Sequence, residues 1–376
     1  PGSRSSLDRC SSIDGSGLDP IPVAVGFLGY DLGRAIERLP SKAADDLPIP
    51  DLWFGRYPAV WRFDRLSGQG AVLGCDEKAM RRLHAALCRR QPRSAVAPLV
   101  VGPLAGEHPV AGYLDSVAAI RDYIEAGDVY QVNLARRLRA NVLATGDPLP
   151  LYQRLANGAP APFGAVLECD DLVVISNSPE LFLRRPAYSE RVETRPIKGT
   201  RARGRNPESD SALVTELVRD EKELAEHLMI VDLERNDLGR IARPGSVAVE
   251  SFARVVSLPA VHHLVSTVSC QVRDGTSAAE LLAATFPGGS ITGAPKVRAM
   301  EIIDELEPVR RKVYTGAIGY LGVGGAVDLA ITIRTAVVVG GSLFLQVGGG
   351  IVADSQPLRE LEETEEKAAS WVRLLS

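Results

Sequence analysis

Two short acidic segments carry the clearest potential for metal chemistry. Glu223 and Glu226 stand three apart in a stretch that predicts a helix, and Glu360 and Glu363 stand three apart in another. Residues three apart share one helix face. Two such faces brought together could hold Mg²⁺ through carboxylate oxygens and leave waters for an anionic ligand. An ordinary solvated helix face carries the same spacing and stays open. A ferritin-like di-iron site fits less well, because that chemistry uses Glu-x-x-His and His227 follows Glu223 by four residues.

Lys198 is the clearest candidate nucleophile. Only 7 of the 43 Lys and Arg residues are Lys, which suggests that a retained Lys is there for its ionisable amine. Lys198 lies in the segment Arg-Pro-Ile-Lys-Gly-Thr-Arg at 195–201, a predicted strand end. An amine desolvated there would have a lowered pKa and could act as a nucleophile. A surface cation is the alternative.

Two glycine-rich segments could bring a ligand close to the main chain. Residues 286–296 lead into a predicted helix with Pro295 near its first turn, and free N–H groups there could bind a carboxylate or phosphate. A nucleotide P-loop is excluded, because two residues separate the last Gly from Lys296. Residues 348–355 follow a predicted strand. In both segments a close-packed structural turn remains an alternative.

The elements that must position these residues can be predicted from hydrophobic periodicity. Helices are predicted over residues 113–124, 207–230 and 295–306 and from about residue 358 onward, with the polar segment 232–240 as a structural helix end. Strands are predicted over 129–138, 164–168, 172–176, 180–184, 247–256, 314–321, 327–339 and 343–348, and as short runs within 22–75. Helices and strands mix without a regular alternation, so we predict an α+β fold with large antiparallel sheets.

Composition excludes several classes of protein. The net charge is −4 with both signs spread along the chain, which indicates neither a nucleic-acid nor a membrane surface. No apolar run approaches the roughly 18 residues that span a bilayer. Five scattered cysteines without a CxxC pair favour reduced thiols and a cytoplasmic protein over a zinc site or a disulfide framework.

Taken together and in order, these segments resemble the chorismate-utilising enzymes. That family includes component I of anthranilate synthase and of aminodeoxychorismate synthase, together with isochorismate and salicylate synthases. The resemblance is dense over about 110–370 and thinner through 26–32. It includes Gly-Asp-Val-Tyr-Gln-Val-Asn-Leu at 127–134, Ser-Pro-Glu at 178–180, Pro-Ile-Lys-Gly-Thr at 196–200, His-Leu-Val-Ser at 263–266 and Tyr-Thr-Gly-Ala at 314–317. It implies large antiparallel sheets packed as a two-sheet sandwich with flanking helices, as in anthranilate synthase component I.

The resemblance also implies a metal site and a substrate. Glu226 and Glu363 would bind Mg²⁺ directly, Glu223 and Glu360 would hold its waters, and the metal would anchor the ring carboxylate of chorismate. The positions that match residues holding the two substrate carboxylates are Gly199, Thr200, Tyr314, Arg334, Gly348 and Lys367.

Two further positions match residues near the reacting ring. Glu180 matches the general acid near the C4 hydroxyl. His263 matches a ring-side histidine that would orient the substrate, with a purely structural imidazole as the alternative.

Two positions distinguish the subfamilies. At Gln131 the water-using synthases carry a Lys that activates water, so the resemblance implies an ammonia-using enzyme. At Lys198 anthranilate synthases have Ala, whereas aminodeoxychorismate synthases have Lys. The resemblance therefore implies Mg²⁺-dependent amination of chorismate at C4 to 4-amino-4-deoxychorismate, for p-aminobenzoate and folate. The alternatives are anthranilate synthase component I, a non-catalytic chorismate-binding subunit and the water-using synthases.

A partner subunit and a domain division complete these expectations. No Cys lies in a Gly-flanked nucleophile elbow of the kind glutaminases use, so ammonia is expected from a glutamine amidotransferase subunit. Residues 1–20 are expected to be a flexible N-terminal segment, 21–100 an incomplete N-terminal lobe and 101–376 the chorismate-binding catalytic region.

Overall fold

The computed structural model describes residues 21–89 and 96–376, so the predicted flexible segment 1–20 lies outside the described residues. The helices are α1 (Gly33–Ile36), α2 (Glu77–Cys88), α3 (Val110–Glu125), α4 (Leu149–Gly158), α5 (Pro207–Arg219), α6 (Glu221–Gly239), α7 (Ala278–Thr285), α8 (Lys296–Leu306) and α9 (Pro357–Leu375). The strands are β1 (Pro22–Leu28), β2 (Leu52–Arg56), β3 (Ala59–Phe63), β4 (Gly70–Gly74), β5 (Val100–Val101), β6 (Ala105–Gly106), β7 (Gln131–Ala144), β8 (Phe163–Cys169), β9 (Leu172–Ser178), β10 (Leu181–Arg185), β11 (Arg191–Arg195), β12 (Ile197–Ala202), β13 (Ala248–Ser257), β14 (Val261–Gln271), β15 (Gly293–Ala294), β16 (Ala317–Gly322), β17 (Val327–Ile331), β18 (Thr335–Val339) and β19 (Ser342–Ile351).

Two large antiparallel sheets form the framework, which confirms the predicted fold class. A nine-stranded sheet has the order β12-β14-β11-β10-β17-β16-β1-β2, with β13 alongside β14. An eight-stranded sheet has the order β15-β7-β19-β18-β9-β8, with β5 and β6 against β7, and β3 and β4 form a separate hairpin. Strands far apart in sequence are neighbours in both sheets, so residues from distant segments can meet at one site.

The two sheets share a buried apolar cluster. Phe27 and Ile318 of the nine-stranded sheet belong to the same cluster as Val174, Val337 and Phe344 of the eight-stranded sheet. β1 and β2 form one edge of the nine-stranded sheet, next to β16. The predicted N-terminal lobe therefore contributes strands to a sheet of the predicted catalytic region, and the boundary at residue 100 stays a prediction.

Helix α9 packs one apolar face against the eight-stranded sheet. Ala368, Trp371 and Leu375 recur at spacings of three and four and are buried with Leu138 and Leu345. Replacing a fully buried Trp such as Trp371 by Ala costs about 3–5 kcal/mol. This packing fixes the orientation of α9 and hence of its acidic side chains.

The predicted helix over 207–230 is two helices, α5 and α6. Asp220 between them has an extended backbone (φ −71°, ψ 102°), and its carboxylate accepts the Glu223 N–H at 3.1 Å as the N-cap of α6. Helix α6 ends at Gly239, the predicted stop. Glu223 and Glu226 consequently lie in the first turns of α6.

Two predicted strands are also divided or shortened. The strand predicted over 327–339 is β17 in one sheet and β18 in the other, separated by residues 332–334, where Arg334 has a left-handed φ of 54°. The strand predicted from Tyr314 begins at Ala317, so Tyr314 lies in the preceding turn. Strand β14, which carries His263, was not predicted.

Candidate active site

Lys198 lies on β12 with its amine among carboxylates of two helices. Its side chain is 17% exposed, and Nζ donates to Glu226 Oε2 at 3.1 Å. Burial alone would lower the pKa of Lys198, but the negative charges of Glu226, Glu363 and Glu223 outweigh burial and raise it. The surface-cation alternative is excluded, and the predicted lowered pKa is wrong for this structure, because ion pairing dominates over desolvation.

Gln131 and Lys198 meet at the main chain of Gly350. A Cβ atom at Gly350 would lie 2.8 Å from both Gln131 Nε2 and Lys198 Nζ. The Gln131 side chain is fully buried, and its amide oxygen and nitrogen have no hydrogen-bond partner in the described part of the chain. An unpaired buried amide costs free energy that a bound polar ligand would recover. This arrangement agrees with the predicted substrate-binding role of Gln131.

The carboxylates of α9 face the same glycine-rich strand. A Cβ atom at Gly349 would lie 3.3 Å from Glu363 Oε1 and 3.4 Å from Glu360 Oε2. Lys367 forms an ion pair with Glu363, and its Nζ donates to the Gly348 carbonyl at 2.8 Å. Strand β19 and helix α9 therefore bring the predicted residues Gly348, Glu360, Glu363 and Lys367 together.

The titration of these carboxyls reflects their surroundings. Burial, with the charge of Glu363 adding to it, raises the pKa of Glu360. Burial would also raise the pKa of Glu363, but Lys367 and Lys198 outweigh it and lower that pKa. Burial raises the pKa of Glu223 as well, although an ion pair with Arg201 at 3.2 Å opposes it.

The donor chemistry of these four glutamates suits a hard cation. Carboxylate oxygens are the ligands that Mg²⁺ prefers, and Glu360 Oε2 is buried without a hydrogen-bond partner among the described residues. Across residues 21–89 and 96–376, however, no three His, Cys, Asp or Glu side chains are grouped closely enough to hold a metal ion. Mg²⁺ therefore stays a prediction, with Glu226 and Glu363 as direct ligands and Glu223 and Glu360 around its waters.

Glu180 lies between β9 and β10 as a buried acid. The residue is 4% exposed, its Oε1 accepts the Ile197 N–H at 3.3 Å, and the Ser290 hydroxyl lies beside its carboxyl. Burial raises the pKa of Glu180 to about 7 against the opposing effects of Ser290 and Lys198. A carboxylic acid that titrates near neutrality is suited to general acid catalysis.

His263 and Arg334 form a second polar group next to β12. His263 Nδ1 and Thr200 Oγ1 share a hydrogen bond of 2.9 Å, and burial, with the charge of Arg334 adding to it, lowers the pKa of His263 to about 4. Burial lowers the pKa of Arg334, and its guanidinium has no ion pair with a described carboxylate. Tyr314 is the phenol that interacts with it electrostatically. A partly buried, unpaired guanidinium beside a neutral imidazole is suited to binding a carboxylate.

Gly199 lets β12 direct Lys198 towards Glu226 and Thr200 towards His263. Its φ of +84° lies in the left-handed region, and a Cβ atom would be 3.0 Å from Leu264 Cδ1. Lys198 and Thr200 on either side of it reach Glu226 and His263 respectively. The Lys-Gly-Thr order in the sequence thus has a structural reason.

The glycine-rich segment 286–296 uses its N–H groups differently from the anion site that its sequence predicts. The Gly289 N–H donates to Glu234 Oε1 at 2.9 Å, so its acceptor is a side chain of α6. Lys296 pairs with Asp237 and donates to the carbonyls of Thr285 at 3.0 Å and Pro287 at 2.7 Å. Sequence reasoning missed Glu234 as a partner of this segment, because only the tertiary fold brings α6 to it.

Comparison with known proteins shows the class to which this chain belongs. Residues 4–373 match the family described as chorismate binding enzyme, and the chain is a member of that enzyme family. In the described part of the chain, no helix has the length and apolar character needed to cross a membrane.

Relatives with different names share similar identity with the chain. Aminodeoxychorismate synthase component 1 of Bacillus subtilis is 40% identical over 94% of this chain and 76% of its own length. The protein of that name from Escherichia coli is 42% identical over 92% and 75%. Anthranilate synthase component 1 of Thermus thermophilus is 42% identical over 93% and 76%.

A solved structure confirms the fold. The crystal structure of anthranilate synthase component I from Streptococcus pneumoniae aligns with a TM-score of 0.84 at 34% identity, over 98% of this chain and 86% of that chain. This likeness bears out the prediction of an anthranilate synthase component I-like fold. Because both names occur among similar relatives, the overall likeness does not separate the two reactions.

Proposed function

We propose that this protein aminates chorismate at ring C4 with ammonia to give 4-amino-4-deoxychorismate, for p-aminobenzoate and folate biosynthesis. The observation that carries the proposal is the meeting of the Lys198 amine and the unpartnered Gln131 amide at Gly350. The neutral Gln131 amide cannot act as the base that activates water, whereas Lys198 beside it supplies an amine that can act as a nucleophile. Relatives named for aminodeoxychorismate synthesis support the same reading.

The polar groups of the site match a dianionic substrate. Arg334, with Tyr314 and the His263–Thr200 pair beside it, would hold one carboxylate. Glu226 and Glu363, with Glu223 and Glu360 around them, would hold Mg²⁺, which supplies positive charge for the other carboxylate when bound. That second carboxylate would lie near the main chain of Gly348, whose carbonyl fixes Lys367.

The proposed reaction needs one acid and one nucleophile. Glu180 gives its proton to the C4 hydroxyl, which leaves as water while the Lys198 amine adds to ring C2 and both ring double bonds shift. Ammonia then adds to C4, both ring double bonds shift back, the Lys198 amine leaves C2 with its electron pair, and the surplus proton of the added ammonia returns to Glu180. The amine adds only in its neutral form, so its ion pair with Glu226 has to open first.

The ammonia would come from a glutamine amidotransferase subunit. Cys169 and Cys270 are buried on strands, where burial raises the pKa of each thiol. A glutaminase needs an activated thiolate, and neither of these two thiols meets that need. The proposed partner would therefore supply the hydrolytic chemistry.

The test is to identify the product of the purified chain. It is incubated with chorismate, Mg²⁺ and an ammonium salt at alkaline pH, with and without aminodeoxychorismate lyase, and the products are identified by mass spectrometry. The proposal expects p-aminobenzoate only when the lyase is present. Lys198→Ala should abolish this product, whereas Lys78→Ala, an exposed control on α2, should not. Full amination by Lys198→Ala would contradict the assigned nucleophile.

Anthranilate synthase component I is the second candidate. The Thermus thermophilus relative and the Streptococcus pneumoniae structure favour it to a similar extent by overall likeness. Anthranilate is aromatic and fluorescent, whereas aminodeoxychorismate is not aromatic. If fluorescent anthranilate forms without the lyase, the protein is an anthranilate synthase component and the proposed C4 amination is wrong. The fold assignment would stay unchanged.

A further inference from the structure

The acid Glu180 is contacted by a short turn of the glycine-rich segment. The Ser290 hydroxyl lies beside the Glu180 carboxyl and favours the charged form of the acid. The Ser290 carbonyl accepts a hydrogen bond from Asn133 Nδ2 at 2.8 Å. The position of Ser290 therefore influences both the orientation and the titration of Glu180.

Glu234 holds this turn from the side of helix α6. Its carboxyl is 3% exposed, and Oε1 accepts the N–H of Gly289, the residue before Ser290, at 2.9 Å. A Cβ atom at Gly289 would lie 2.8 Å from Leu233 Cδ2 and 3.0 Å from Glu234 Oε1. A side chain at position 289 would therefore displace Leu233 and crowd the Glu234 carboxyl.

Burial and the neighbouring carboxyls favour the neutral form of Glu234. Burial and the neighbouring Asp237 raise the pKa of Glu234, Lys296 and the Gly289 N–H oppose this, and Glu180 adds a further like charge. Lys296 on α8 pairs with Asp237. A neutral Glu234 can accept the Gly289 hydrogen bond without adding a second negative charge beside Glu180.

We propose that Glu234 is a positioning residue for Glu180, acting through the Gly289–Ser290 turn. Its carboxyl anchors the Gly289 N–H, and the anchored turn keeps the Ser290 hydroxyl beside the acid. The inference rests on the proposed function only in that Glu180 acts as the general acid. It does not depend on which amine product is formed.

The test is a double-mutant cycle on the purified full chain. Glu234→Met keeps the side-chain volume but removes the acceptor for Gly289, Ser290→Ala removes the hydroxyl, and a third variant carries both changes. Glu234→Gln keeps the acceptor oxygen and imitates the neutral acid. The exposed Asp232→Asn on the same helix is the matched control. Chorismate consumption with Mg²⁺ and ammonium gives kcat, KM and the pH profile.

The two single variants should behave alike if Glu234 acts through Ser290. Each should lower kcat about tenfold, less than the 100-fold or more expected from removing a general acid, with the KM for chorismate within about twofold. Each should also move the break in the pH profile near pH 7 to higher pH. The lost Ser290 contact had favoured charged Glu180, so its loss raises the pKa of that acid. The double variant should be no worse than either single variant, and Glu234→Gln should retain most of the rate.

Three results would overturn the inference. Multiplicative losses in the double variant would show that Glu234 does not act through Ser290. If the break in the pH profile of Glu234→Met does not move, the lower rate reflects only a loss of folded protein. A Glu234→Gln variant as slow as Glu234→Met would exclude the acceptor role. Glu180→Gln is measured in parallel to separate these results from failure of the proposed function. A full rate in that variant would show that Glu180 is not the general acid.

Discussion

Replacing Gly350 by Ala should move the candidate nucleophile without disturbing the fold. The added Cβ would lie 2.8 Å from Gln131 Nε2, 2.8 Å from Lys198 Nζ and 3.0 Å from Gln131 Cδ. The Gln131 side chain is fully buried and tightly packed, whereas the Lys198 amine is the end of a flexible chain. We therefore expect Lys198 to give way and its 3.1 Å hydrogen bond to Glu226 to be lost.

The size of the effect follows from this displacement. An ordinary carbon–nitrogen contact needs roughly 0.6–1 Å more room. A catalytic group misplaced by about 1 Å can cost on the order of 100-fold in rate, so kcat should fall by about 10- to 100-fold. The extra methyl should cost only about 1–2 kcal/mol in the free energy of unfolding.

The assay is steady-state amination of chorismate together with urea unfolding of the same preparations. The control is Gly112→Ala on α3, where a Cβ atom meets no other atom within 4 Å. That change should leave kcat unaltered and raise the free energy of unfolding by about 0.5–1 kcal/mol. A Gly350→Ala enzyme with kcat within twofold of the unaltered chain would refute the placement of Lys198.

Three further predictions concern single charged groups. At a fixed concentration of unprotonated ammonia, kcat should rise with pH up to about 7, as more of the Lys198 amine becomes neutral, and should level off above it, because Glu180 then loses the proton that it donates. A pH-independent kcat between pH 6 and 9 would contradict this. Arg334→Met should raise the KM for chorismate at least about tenfold without lowering the melting temperature, since no described carboxylate pairs with this partly buried cation. Glu307→Gln should lower the free energy of unfolding, measured by urea titration, by about 3–5 kcal/mol. The change leaves the buried Arg311 without its ion-pair partner at 2.6 Å. A loss below about 1 kcal/mol would show that the ion pair is not needed for stability.

Much of the framework could be predicted from local sequence. The period of apolar residues located α3, α8 and α9, and alternating apolar runs located most of the strands that line the site. The strand β14 escaped detection although its buried positions Leu264, Ser266, Val268 and Cys270 alternate. Polar Ser and His residues occupy inward positions there, which weakened the apolar signal.

The breaks in predicted elements depended on local geometry that periodicity does not record. Helices α5 and α6 separate at Asp220 because its carboxylate caps the second helix. Strands β17 and β18 separate where Arg334 takes a left-handed backbone. Both breaks place residues of the candidate site, so the most functional positions were those at which regular patterns fail.

The sequence by itself determined the residue types available for chemistry, their order along the chain and the family. Lys198 and the four glutamates of two helices were identified from type and spacing, and Glu180 from the family resemblance. Only the tertiary structure decided their electrostatic states. Lys198 was expected to have a lowered pKa, yet carboxylates from α6 and α9 raise it. The N–H of Gly289, in a segment expected to bind an anionic ligand, donates to the Glu234 carboxyl. The reason is that a pKa or a free N–H group depends on every charge and donor within a few ångströms, and chain folding brings those neighbours from segments far apart in sequence.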